Sequence, residues 1–276
     1  MENKLLAHLY SNFPYVAQMY SYLGESELKI INKKLQDRNN KLSAGEECEP
    51  TFYDLVLIAY YPQIGTSRQK DSYSKMLSLL NESIKEYCAL VHNNLELVNQ
   101  LKRQLRDLFK INGAKYLDKC GELFSAIYLI KKYTNYELKA LEYKFEKEIN
   151  PKESKNADLV FNERGTNNLI LVDIYNLNLD CEEIENEEGL SKLLIHRLSK
   201  KRNEKRFDSD FVKNNFHRAI LQPFIWIMDI DTIIKYKTFW KGFSFDNTWP
   251  ILCLRQRSDQ NNKIFYNCVE IANIDN

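Results

Sequence analysis

The segment ADLVFNERGTNNLILVDIYN, Ala157–Asn176, divides into two short apolar strands about a turn-rich centre. The strands are ADLVF and NLILVDIY; the turn, NERGTNN, holds Gly165 and three Asn, so the segment predicts a β-hairpin. Each strand carries one carboxylate in an apolar setting, Asp158 and Asp173. An Asp within Val, Leu and Ile costs several kcal/mol to bury unless a cation, hydrogen bonds or solvent receives it. Two such residues on adjacent strands suggest a divalent-metal site at the end of a sheet, with hard oxygen ligands for Mg²⁺ or Mn²⁺. The competing reading puts both carboxylates at strand ends, where they cap neighbouring turns.

Around this hairpin stand 276 residues, enough for one large domain or two modest ones with a buried core. A hydrophobic share of 44% and a charged share of 28% are those of a globular protein. The net charge of +1 gives no whole-chain argument for nucleic acid or membrane, so any such argument is local. Six scattered cysteines without a CxxC pair suit reduced thiols in a cytosolic protein. The N-terminus lacks the apolar core of a signal peptide, and the longest apolar run, Leu55–Tyr61, is too short to span a bilayer. These features predict a soluble cytoplasmic protein.

Residues before the hairpin read as helical. Helices are expected over Met1–Leu42, with a break near Pro14 and Gly24 and with Ser26 as an N-cap. Phe52–Tyr61 is apolar all round, so periodicity does not separate buried helix from strand, and Pro62 and Gly65 end it. From Tyr73, positions Leu77, Leu80, Ile84, Tyr87, Val91, Asn94, Val98, Leu101, Leu105 and Leu108 alternate spacings of four and three. That is a heptad seam with one polar member, Asn94. It predicts one helix over about residues 70–110, roughly 60 Å long at 1.5 Å per residue, acting as an arm or a dimerisation element. Asn112-Gly113 closes it. A further helix follows over Ala114–Lys132, then a strand over Tyr136–Ile149, although Leu138, Leu141 and Phe145 also suit a helix.

Beyond the hairpin, an acidic run precedes a basic amphipathic helix, Leu190–Arg206. Its apolar residues are Leu190, Leu193, Leu194 and Leu198; its bases are Lys192, Arg197, Lys200, Lys201, Arg202, Lys205 and Arg206. Such a run is either a solvated face beside its acidic neighbour or a phosphate-backbone contact. AILQPFIWIMDI, Ala219–Ile230, reads as a strand in which Pro223 marks a bulge or an edge. A short helix ending at Trp240, capped by Asp231, and two terminal strands complete the chain. The four histidines share no metal spacing, and GxxxxGK[ST], GxGxxG and GxSxG are absent.

From Gly121 to Asn176 the order of helix, strand and acid-bearing hairpin resembles the PD-(D/E)XK, or restriction-endonuclease-like, nuclease superfamily. The resemblance rests on Glu122 in GELFSAIYLIKK, Asp158 in ADLVF and Asp173 in ILVDIYN. It implies a core-helix Glu, an Asp at the start of the second strand and an acid two residues before a Lys on the third. The Lys position holds Tyr175, which cannot supply a fixed positive charge. On that pattern Asp158, Asp173 and the carbonyl of Ile174 bind Mg²⁺ or Mn²⁺, and Glu122 orients the shell. Lys192, Arg197 or Lys200 then replaces the Lys, and Arg197, Lys200, Lys201 and Arg202 contact DNA.

Together these readings predict an α+β chain: a helical, coiled-coil domain over 1–112 and a restriction-endonuclease-like α/β domain over 113–276. The expected function is that of a metal-dependent nuclease acting on DNA, impaired where the Lys is missing. The alternative is an inactive relative that binds nucleic acid or protein and dimerises through the 70–110 helix.

Overall fold

The computed structural model describes residues 2–48, 51–60, 67–109, 115–145, 155–177, 179, 184–226, 234–258 and 264–273. The Asn112-Gly113 stop, Pro62, Gly65, Asp231 and Cys181 lie outside the described residues. The chain is mixed α+β and divides into two compact units. One comprises Met1–Leu123 with Ser258–Tyr266; the other comprises Phe124–Arg257 with Asn267–Asn276.

The first unit is mainly helical. Its helices are α1 (Glu2–Asn12), α2 (Pro14–Tyr20), α3 (Glu25–Ser43), α4 (Phe52–Tyr60), α5 (Ser67–Leu90) and α6 (Leu95–Arg106), with the start of α7 (Tyr116–Lys132). Pro14 opens α2 because its missing N–H is one that a first helical turn leaves unused. Phe13 before it offers no capping oxygen, so the cap comes from α5. The Asn81 Oδ1 accepts the N–H of Tyr15 at 2.9 Å and of Val16 at 3.4 Å. The ambiguous apolar segment at Phe52 is helix, opened by Asp54, whose Oδ2 accepts the Thr51 N–H at 2.6 Å and its hydroxyl at 2.8 Å.

The uninterrupted helix expected over about 70–110 is not formed. The chain makes α5 and α6 with a turn between them. Asn94 is the reason: its Oδ1 accepts the Leu97 N–H at 3.2 Å, so it caps α6 instead of filling a polar seam position. After the break Leu97 takes the buried place expected of Val98, which is only partly covered, while Leu101, Leu105 and Leu108 are buried at the expected seam positions. Leu77, Leu80, Ile84 and Tyr87 are at most 1% exposed. Helices α2 and α4 pack on α5 and take up this seam. The seam that suggested a dimer therefore serves the interior of the unit.

The chain forms a six-stranded mixed sheet in sequence order: β1 (Tyr136–Phe145), β2 (Lys155–Glu163), β3 (Leu169–Leu177), β4 (Arg218–Ile225), β5 (Leu252–Ser258) and β6 (Ile264–Glu270); β1 to β4 belong wholly to the second unit. The expected hairpin is present as antiparallel β2 and β3, with Leu159 opposite Val172 and Asn162 opposite Leu169. Gly165 at φ +78° makes the turn, a conformation that a Cβ would strain. Strand β3 runs parallel to β4, and β4 parallel to β5. Both β3 and β4 are buried on both faces along most of their length, which explains their near-continuous apolar sequence.

Between β3 and β4 the chain forms α8 (Glu187–Glu204) and α9 (Asp210–Asn215). Asn186 caps α8 by accepting the Gly189 N–H at 2.8 Å. Helix α10 (Lys237–Gly242) precedes β5. Pro223 marks a slip in register: Leu221 bridges Thr248, whereas Phe224 pairs with Leu252, one residue further on. The neighbouring Gln222, fully buried, donates to the carbonyls of Pro223 and Pro250 at 2.9 Å each and so serves backbone groups left by the interrupted ladder. No helix among the described residues is long and apolar enough to cross a membrane.

Candidate functional site

Helix α8 lays Leu190, Leu194 and Leu198, all 0% exposed, over one face of the sheet. Leu194 joins a cluster with Leu177, Ile225 and Cys253, and Leu198 one with Leu171, Leu221 and Phe207. Side chains alternate along a strand, so Leu171, Asp173 and Tyr175 all stand on this covered face. The same helical spacing continues past Leu198 to Lys201 and Lys205, which carries two ammonium groups onto the buried side of the helix.

The result is an ion-pair cluster around Asp173. Its carboxylate is 0% exposed. The Lys201 Nζ lies 3.6 Å from Oδ2, and the Lys205 Nζ is ion-paired with Oδ1. Lys205 also donates to the carbonyl of Asn156 at 2.6 Å, tying the end of α8 to β2. Lys201 further sits 5.2 Å from the centroid of the Tyr175 ring, in cation–π geometry. Burial pushes the Tyr175 phenol above its usual range, Arg197 draws it back and Glu204 adds to the rise. Two partly buried ammonium groups thus face one fully buried carboxylate, an arrangement in which charge neutralisation offsets desolvation.

Asp158 stands across the hairpin from Asp173, one position beyond the Leu159–Val172 pair. It is only partly buried, and its Oδ2 accepts the Ile174 N–H at 2.6 Å. Its side chain therefore extends the hydrogen bonding between β2 and β3 past the end of the backbone pairing. Asp158 thus bonds the backbone of the adjacent strand instead of capping a turn, and Asp173 lies within β3 and not at a strand end.

The remaining expected residues take other places. Glu122 belongs to the first unit and pairs with Lys119, one turn back, at 2.9 Å. Lys192 is exposed and pairs with Glu188. Lys200 is exposed, and Arg197 is partly buried near Tyr175. Arg202 grips Asp208 through two hydrogen bonds of 3.0 and 2.8 Å. Of the four residues expected on DNA, Lys201 and Arg202 are thus engaged inside the unit.

Lys205 had no assigned role in the sequence reading. Its signal was the spacing 190, 194, 198, 201, 205, which places it on the covered face opposite the one acid of β3.

A divalent ion suits this donor set poorly. The Lys205 ammonium already contacts Oδ1 of Asp173 and Lys201 stands 3.6 Å from Oδ2, so a dication would have to displace an internal cation. Among the described residues no three His, Cys, Asp or Glu side chains group to hold a metal. Comparison with protein-family models, with curated proteins and with solved structures finds no match to this chain.

Proposed function

We propose that the second unit is a nuclease-like core kept as a binding scaffold, in which the acid pair has become an internal ion-pair network. The observation that supports this reading is the complete burial of Asp173 against Lys201 and Lys205. A phosphodiesterase needs carboxylates that reach both solvent and the scissile phosphate. Here one acid is closed off by α8 and the other bonds the backbone of Ile174. The nuclease-like part of the reading rests on the element order α7, β1, β2, β3, α8, with α9 added before β4.

A second reading retains the reaction on DNA. Lys201 brings an ammonium to Asp173 and over Tyr175, the residue at the family's Lys position, so the missing cation would come from α8. Cleavage of supercoiled plasmid and single-stranded DNA with Mg²⁺ or Mn²⁺ separates the two. The scaffold reading expects no cutting above that of the Asp158→Asn/Asp173→Asn variant. Metal-dependent cutting that this variant and Lys201→Met both lack would establish the second reading.

A further inference from the structure

A separate feature of the second unit is a cleft of ≈ 260 Å³ formed between α10, the loop that follows it up to Ile251, and the end of β6 with the residues after it. It lies a little below the roughly 300–1,000 Å³ of most ligand sites, which sizes an occupant to a single ring system. Trp240, Phe243, Phe245 and Trp249 supply flat apolar walls. These walls are preformed. Trp249 stacks on Tyr133 with centroids 4.7 Å apart, and Trp240 packs edge-on against Phe239 at 5.1 Å.

The polar character of the cleft is that of a donor. Lys241 lines it, is exposed and has no ion pair among the described residues. The carboxylate of Glu270 also lines it, but that charge is met by Lys132 and by the Asn273 amide at 2.9 Å. The indole Nε1 of Trp240, 4% exposed, is buried without an acceptor. One unmatched cation, Lys241, therefore stands beside an aromatic wall. We propose that this cleft binds a small organic anion with a flat aromatic body, its rings against the tryptophans and its anionic group on Lys241. The proposal is independent of whether the Asp173 cluster is catalytic.

The test uses 2-naphthoate and its neutral counterpart 2-naphthylmethanol as probes of the full chain, followed by calorimetry and by the three tryptophan indole N–H signals. The expected result is naphthoate binding about fivefold tighter than the alcohol, the scale of one exposed ion pair. The Trp240 and Trp249 signals should move while Trp226, bonded to Asn176 at 3.1 Å, stays. Lys241→Glu should remove the preference and leave alcohol binding and Tm unchanged, whereas Lys144→Glu, equal in charge change and also exposed, should preserve it. Failure of both probes to bind, equal affinity for the two, movement of Trp226 alone, or equal loss in the two variants would each overturn the proposal.

Discussion

The Lys205 ammonium holds two strands at once, ion-paired with the buried carboxylate of Asp173 on β3 and hydrogen-bonded to the Asn156 carbonyl on β2. It completes the neutralisation that lets Asp173 occupy a covered sheet face. Lys205→Met removes that partner and leaves the carboxylate with Lys201 at 3.6 Å. Breaking a buried pair from one side costs about 3–5 kcal/mol. Lys205 is itself partly exposed, so the lower end is expected. Urea unfolding of Lys205→Met against wild type measures it, with Lys200→Met, an exposed neighbour, expected within about 0.5 kcal/mol.

The division of the long heptad seam rests on Asn94. Asn94→Ala removes the α6 cap and should cost about 1 kcal/mol. Leu101→Asp tests where the seam is used. With Leu101 1% exposed inside the unit, a charge there should unfold the helical unit instead of releasing a folded monomer. Circular dichroism of the two variants at several protein concentrations reads both effects.

Thiol reactivity should follow burial. Burial pushes the Cys253 thiol up to about 12 and also raises Cys120 and Cys268. The thiolate is the reactive form, so at pH 8 only roughly a ten-thousandth of Cys253 is available. Iodoacetamide labelling read by peptide mass spectrometry should leave the buried Cys120 and Cys253 unmodified in the native protein and modify them in urea, with the half-buried Cys268 labelled between these extremes.

The Arg202 guanidinium holds the Asp208 carboxyl below its usual 3.8, with a small opposing push from burial. A carboxyl depressed by folding adds stability that is present above the unfolded value and lost as pH falls through the folded one. The window therefore runs downward from about pH 4. Asp208 is largely exposed, so the contribution is about 0.2–1 kcal/mol. Asp208→Asn should lower stability at pH 7 and make little difference near pH 2, measured by urea unfolding at both.

The hairpin was legible because alternation, a glycine turn and two apolar strands all act within a twenty-residue segment, and β2 and β3 bear it out. Strand β1 and helix α8 were legible on the same local grounds. The break at Asn94 was not, because Asn serves equally as a polar seam residue and as a helix cap, and only the Leu97 N–H distinguishes them. The surroundings of Asp173 were also hidden. Lys201 and Lys205 look like part of a solvated basic run until the α8 seam is extended past Leu198, and their pairing with β3 joins residues far apart in the chain. Asn81 of α5, which caps α2, is the same kind of case, a cap supplied from 66 residues away.

The most direct test of the ion-pair account is the thermal unfolding of Asp173→Asn beside wild type, each with and without Mg²⁺. If Lys201 and Lys205 neutralise Asp173, the variant should melt several degrees lower, because two ammonium groups then face a neutral amide, and Mg²⁺ should leave the wild-type Tm unchanged. A variant as stable as wild type or more so, together with a Mg²⁺-dependent rise in the wild-type Tm that the variant lacks, would mean that Asp173 is held for a metal and would contradict the account.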